Sequence, residues 1–126
     1  MLKMKKKVSF DFDSTLDRVD VQILATQLVK DGHEVWIVTS RPDVFHNLKV
    51  ENLDLFEVAK QCGILKENIH FTCYGDKIEF IEGKGFDFHL DDDDYELVGI
   101  MKSKDDCKPI NVDHFSWKEH CLEVIK

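Results

Sequence analysis

The chain has 126 residues, 43% of them hydrophobic and 33% charged, and a formal net charge of −8 at pH 7. That length builds one hydrophobic core rather than two, and the composition is that of a globular domain, not of a disordered or membrane-spanning chain. The acidic balance argues against an extended nucleic-acid groove, whose binding depends on Lys and Arg neutralising phosphates.

The basic start, Met1-Leu2-Lys3-Met4-Lys5-Lys6-Lys7, is followed by an acid-bearing strand and not by the continuous apolar segment of a secretory leader. A single cytoplasmic domain over residues 1–126, without membrane contact, is therefore expected. Cys62, Cys73, Cys107 and Cys121 are scattered with no C-x-x-C pair and read as reduced, partly buried thiols. A zinc site from His114, His120 and Cys121 is the alternative, although such helix-face residues are more often structural.

Residues 6–12 read as strand one. Val21, Leu24, Ala25, Leu28 and Val29 recur at helical spacing, which predicts helix one over 20–31, stopping at Gly32. Val35–Thr39 is strand two, Pro42 breaks it, and residues 43–50 form a short helix or ordered turn. Asn52 or Asp54 caps a helix over 55–62 that ends at Gly63. Ile69–Cys73 is strand three, 77–82 one or two helical turns, and Gly83 and Gly85 turn the chain into strand four, Phe86–Leu90. Asp93 and Asp94 cap a helix over Tyr95–Met101. Pro109–Val112 is a fifth strand, and Ser116 caps a last helix over 117–125, where Trp117, Cys121, Leu122 and Ile125 suit core packing. Repeated β-α units predict a three-layer α/β/α sandwich around a mainly parallel, Rossmann-like sheet of about five strands.

Ligands of such sheets bind at the carboxyl ends of the strands, and the polar residues gather there. Asp11 and Asp13 end strand one, Thr39, Ser40 and Arg41 end strand two, Lys77 follows strand three, and Asp91–Asp94 end strand four. Asp11 and Asp13, one residue apart on extended backbone, point the same way, and two such charges about 4 Å apart repel by roughly 4 kcal/mol at an effective dielectric near 20. A divalent cation relieves that repulsion. The plainer alternatives are that the pair caps a turn, that Lys77 is a solvated surface residue, and that the Asp tract only starts a helix.

Four segments in order, Asp11-Phe12-Asp13-Ser14-Thr15, the apolar strand ending at Thr39, the isolated Lys77, and Phe88-His89-Leu90-Asp91-Asp92, resemble the signatures of the haloacid dehalogenase-like phosphohydrolases. The resemblance runs from Val8 to about Tyr95. It implies a phosphatase working through an aspartyl-phosphate on Asp11, with Asp13 as general acid and base, Lys77 offsetting the charge of the phosphoryl oxygens and the Thr39 hydroxyl donating a hydrogen bond to one of them. It also implies Mg²⁺ held by the Asp11 and Asp92 carboxylates and the Asp13 carbonyl. Asp91 would stand behind the metal or pair with Lys77, and the exchange of Asp91 and Asp92 in these roles stays open. Ser14, Thr15, Ser40 and Arg41 are the substrate-binding candidates; Arg41 would meet a substrate phosphate or carboxylate, or pair with Asp43.

The chain departs from many such proteins in having no room for a cap domain after strand one or strand three, and in carrying Ser14 where Gly is common. An open site admits a large substrate, such as a phosphorylated polymer end or a protein, or calls for a second subunit to cover it, in a monomer or a homodimer; the resemblance to capless members implies a nucleotide, a nucleic-acid end, a phosphoprotein or another phosphomonoester. The rival expectation is a metal-binding regulatory module without useful turnover. A receiver-type signalling domain is disfavoured because strand three ends at Cys73 and Tyr74, with no phosphoacceptor Asp.

Overall fold

A computed structural model describes residues 4–43 and 52–126 of the chain. Five strands, β1 (Lys7–Phe10), β2 (Glu34–Thr39), β3 (Ile69–Phe71), β4 (Phe88–Asp91) and β5 (Lys108–Asn111), form one sheet in the order β3-β2-β1-β4-β5, with every pairing parallel. The helices are α1 (Val19–Lys30), α2 (Leu53–Cys62), α3 (Lys77–Ile81), α4 (Asp94–Lys102) and α5 (Trp117–Ile125). The architecture is thus the three-layer, Rossmann-like sandwich expected. Among the described residues, no helix is long and apolar enough to cross a membrane.

Period-two alternation divides the sheet residues between two cores. Val8, Phe10, Val35, Ile37, Phe88, Leu90 and Ile110 pack against α1, α2 and α5 in the larger core, where Val21, Leu24, Ala25 and Leu28 supply the apolar stripe of α1. Trp36 faces the other way, into a smaller cluster with Ile81, Phe86, Ile100 and Cys107 under α3 and α4. In α5, Trp117 and Cys121 are buried and Ile125 packs against the core, whereas Leu122 is exposed. Gly63 ends α2 at φ 81°, and a Cβ there would stand 3.1 Å from Val29 Cγ1, so a side chain would meet both backbone strain and the α1 surface.

Most boundaries shift by one or two residues from the sequence expectation, and the ends of strands one and three do so for local reasons. Strand one stops at Phe10 because Phe12–Leu16 closes into a tight loop, with Asp13 extended, Ser14 left-handed, and the Leu16 N–H donating to the Asp11 carbonyl. Strand three stops at Phe71 because Cys73 and Tyr74 take φ of 53° and 67°, and their N–H groups donate to the Arg41 and Ser40 carbonyls instead of a ladder. Strand four starts at Phe88 and runs on to Asp91, which pairs with Asn111. The turn or helix expected over 43–50 lies outside the described residues, apart from Asp43. No cap is inserted after β1, which passes through the loop of Phe12–Leu16 to α1, or after β3, which reaches α3 across residues 72–76.

This topology fixes where a ligand would sit. From β1 the chain winds outward to β2 and β3, then returns to place β4 and β5 on the other side of β1. The reversal opens a crevice at the carboxyl ends of β1 and β4, and the Asp11 N–H donates to the Leu90 carbonyl across it at 2.9 Å.

Candidate active site

Asp11 and Asp91 face each other over the end of that crevice, and α3 brings Lys77 down between them. Its Nζ donates to Asp11 Oδ1 at 2.7 Å and to Asp91 Oδ2 at 2.6 Å, with the lysine side chain only 2% exposed. The Thr15 hydroxyl donates to Asp11 Oδ2 at 3.2 Å. Asp91 Oδ2 also meets His89 Nε2 at 2.7 Å, and its Oδ1 accepts the Asp93 N–H at 3.0 Å. Asp93 in turn caps α4 by accepting the Tyr95 N–H, while Asp94 opens the helix and accepts from Asn111 Nδ2.

Asp92 completes an acidic trio. One oxygen each of Asp11, Asp91 and Asp92 lies within 4.8 Å of the other two, the one such metal-competent group among the described residues. With all three carboxylates ionised, the one ammonium would leave an excess of two negative charges, which a single divalent cation would cancel. Oxygen donors alone suit a hard cation such as Mg²⁺ or Ca²⁺. Asp91 already accepts from three donors, so Asp11 and Asp92 are the better placed to offer oxygens to a metal.

Burial, then the neighbouring Asp91, push Asp11 up to about 8, and Lys77 only partly offsets them. Burial also works to raise Asp91, but the His89 hydrogen bond and the Lys77 ammonium outweigh it and hold Asp91 well below the usual carboxylate range. The opposite directions have one cause. A single ammonium serves two carboxylates, and the one with more donors takes the charge while the other keeps a proton. Burial works to lower Lys77 too, yet the charges of Asp11 and Asp91 prevail and keep it protonated.

A cleft of about 370 Å³ opens above the trio, lined by Asp11, Asp13, Ser14, Ser40, Lys77 and Asp91–Asp94. Thr39 does not line it; the residue is fully buried and its hydroxyl accepts the Arg41 N–H at 3.2 Å. Ser40 supplies the strand-two hydroxyl at the cleft instead. Thr15 is likewise buried and spends its hydroxyl on Asp11. Ser14 sits in the left-handed region at φ 61°, which explains why glycine suits that position, and its N–H donates to Asp17 Oδ2 at 3.1 Å.

Arg41 pairs with Asp13 and Asp54, not with Asp43. Its Nε and Nη2 donate to the two Asp13 oxygens at 3.0 and 2.7 Å, and Nη1 and Nη2 donate to the two Asp54 oxygens at 2.8 and 2.9 Å. Nη1 also reaches Asn52 Oδ1 at 3.3 Å, and the guanidinium lies over the Phe12 ring, 4.9 Å from its centroid. All five N–H groups are thereby committed.

His114, His120 and Cys121 do not form a metal group. Cys121 is buried in the core, and the two rings stack 5.0 Å apart, with His114 Nδ1 accepting the Ser116 N–H. All four cysteines are free thiols, three buried and Cys73 exposed.

Sequence reasoning missed Ser9, His89 and Asp54. A signal for the first two was present: each is the polar interruption of an apolar strand, two residues before Asp11 and Asp91, and period two puts all four on one face. No protein-family model matches the chain, and comparison with curated proteins and with solved structures finds none similar to it.

Proposed function

We propose that the protein is a Mg²⁺-dependent phosphohydrolase that cleaves a phosphomonoester, a nucleotide or nucleic-acid end among the candidates, through an aspartyl-phosphate on Asp11. The observation that carries this reading is the buried Asp11 carboxyl, held by Lys77 and Thr15 at the floor of an open cleft beside Asp91 and Asp92, three acids gathered around one ammonium. Asp11 and Asp92, with the Asp13 carbonyl, are the groups that would hold the ion, and the oxygen-only donor set fits it. Bound there, Mg²⁺ would neutralise phosphoryl oxygens as charge builds on them.

The chain's own residues supply the remaining steps. An Asp11 oxygen attacks phosphorus, the bond to the leaving oxygen breaks, and Asp13 gives that oxygen a proton. Water then attacks the phosphorus of the aspartyl-phosphate, Asp13 takes its proton, and inorganic phosphate leaves with Asp11 restored. Lys77 and the Ser40 hydroxyl face the phosphoryl oxygens. Among the described residues no inserted cap stands over the cleft, which leaves room for a large substrate.

One observation favours a second reading, a metal-binding regulatory module without turnover: both Asp13 oxygens are occupied by Arg41. The test is phosphate release with and without Mg²⁺ from nucleotides, phosphorylated oligonucleotide ends, phosphopeptides and sugar phosphates, with Asp11→Asn as the blank. Metal-dependent release lost in the variant supports the phosphatase. Metal binding without release from any substrate supports the module.

A further inference from the structure

The polar row of the cleft continues down into the sheet. Ser9 and His89 stand opposite each other in the β1–β4 register, both fully buried. Ser9 Oγ lies 2.7 Å from His89 Nδ1, and His89 Nε2 lies 2.7 Å from the same Asp91 oxygen that receives Lys77 at 2.6 Å. An imidazole between Phe88 and Leu90 is costly to bury unless both nitrogens are satisfied, and here each has one partner. The arrangement is met by one neutral tautomer: the Ser9 hydroxyl donates to Nδ1, and the Nε2 proton points at Asp91.

We propose that His89, backed by Ser9, is a positioning residue that fixes the Asp91 carboxylate and, through it, aims the Lys77 ammonium at the Asp11 oxygen. Asp91 accepts from His89 below, Lys77 to one side and the Asp93 N–H above, so three directions determine its rotamer. Without His89 the carboxylate loses its deepest anchor and is free to turn, and Lys77, tied to the same oxygen, turns with it. Ser9 does to His89 what His89 does to Asp91. The geometric part stands alone, whereas the consequence for turnover rests on the phosphohydrolase reading.

Two measurements test it. In the ¹⁵N-labelled wild-type protein, NMR of the His89 ring is expected to find the proton on Nε2, protected from exchange; a proton on Nδ1, with Nε2 bare towards Asp91, would overturn the proposal. In steady-state kinetics, His89→Leu is expected to lower kcat roughly 10- to 100-fold with little change in KM, the range for residues that orient a metal or catalytic group. His89→Gln, whose amide N–H reaches the Nε2 position, should recover most of that loss, and Ser9→Ala should lose less than His89→Leu. A His89→Leu kcat within about twofold of wild type overturns the role, as do equal losses in the Leu and Gln variants, the mark of a disturbed core. If the wild-type protein releases no phosphate at all, the phosphohydrolase reading fails, and the ring tautomer still decides the positioning.

Discussion

Arg41 grips both carboxylate oxygens of Asp13 while its remaining donors hold Asp54 at the start of α2, so one side chain ties the end of β2, the loop after β1 and a helix together. A planar fork of five donors can do this and a lysine cannot, because an ammonium presents a point charge with three rotatable donors. Asp13 and Asp54 are each more than half exposed, which confines the stabilising effect to the range of surface ion pairs. Asp54→Asn is expected to cost about 1 kcal/mol or less in urea unfolding. Arg41→Lys should cost similarly little in stability but, by releasing Asp13, should change kcat by roughly tenfold or more. A loss of stability above about 3 kcal/mol in either variant would show the network to be a fold-determining element instead.

The raised Asp11 carboxyl predicts a pH dependence with a definite sign. Folding lifts this group from 3.8 to about 8 through burial and the charge of Asp91, so the native state keeps a proton that the unfolded chain releases. The group's contribution is fully present below about pH 4 and is lost as the pH rises through 8. In EDTA, Asp11→Asn should therefore melt above wild type at pH 9, and the difference should vanish near pH 4. A divalent cation works against the same proton. Its affinity should rise with pH up to about 8, with proton uptake by buffer visible in calorimetry, and Asp11→Asn should abolish that release. Equal melting temperatures for the two proteins at pH 9 would mean that Asp11 is not the group that keeps the proton.

Ser14 offers a test in the opposite direction. Its φ of 61° is one that a side chain resists and glycine takes freely. Ser14→Gly is expected to stabilise the folded protein, by about 1 kcal/mol before the greater chain entropy of the unfolded glycine is subtracted. Chemical denaturation reads this directly, and a clear destabilisation would mean that the Ser14 side chain, not its backbone, is what the loop requires.

How far the sequence carries depends on whether a feature is local. The alternation of β and α segments, the helix stop at Gly63 and the apolar stripe of α1 are local patterns, and each stands where periodicity and turn chemistry put it. The meeting of Asp11, Lys77 and Asp91 was legible as a gathering at strand ends, because parallel topology brings all such ends to one rim. Arg41 was not legible in the same way. By sequence it was to meet a substrate anion or pair with Asp43, two residues on, but the chain turns so that Asp13 and Asp54, 28 and 13 residues away, take four of its five donors and Asn52 the fifth. Thr39 and Thr15 differ for a related reason: a hydroxyl at a strand end points into the cleft or back into the loop according to the turn that follows, and no spacing encodes that turn.

Lys77 carries the last expectation. It is 2% exposed and its ammonium bridges two buried carboxylates, so Lys77→Met removes the cation that both touch from a site that then holds three acids. Breaking a buried pair by deleting one partner typically costs about 3–5 kcal/mol, since the other charge stays behind unpaired. Asp11 answers part of this by keeping its proton, but Asp91, held charged by His89 and the Asp93 N–H, does not. Adding Asp91→Asn to Lys77→Met should therefore restore much of the lost stability, a coupling that a double-mutant cycle in urea measures. Saturating Mg²⁺ should also raise the melting temperature of Lys77→Met by more than that of wild type, because an incoming cation then meets the acids without a competing ammonium. Additive losses in the cycle, together with equal shifts on adding Mg²⁺, would mean that Lys77 is held by its helix and not by the acids it touches.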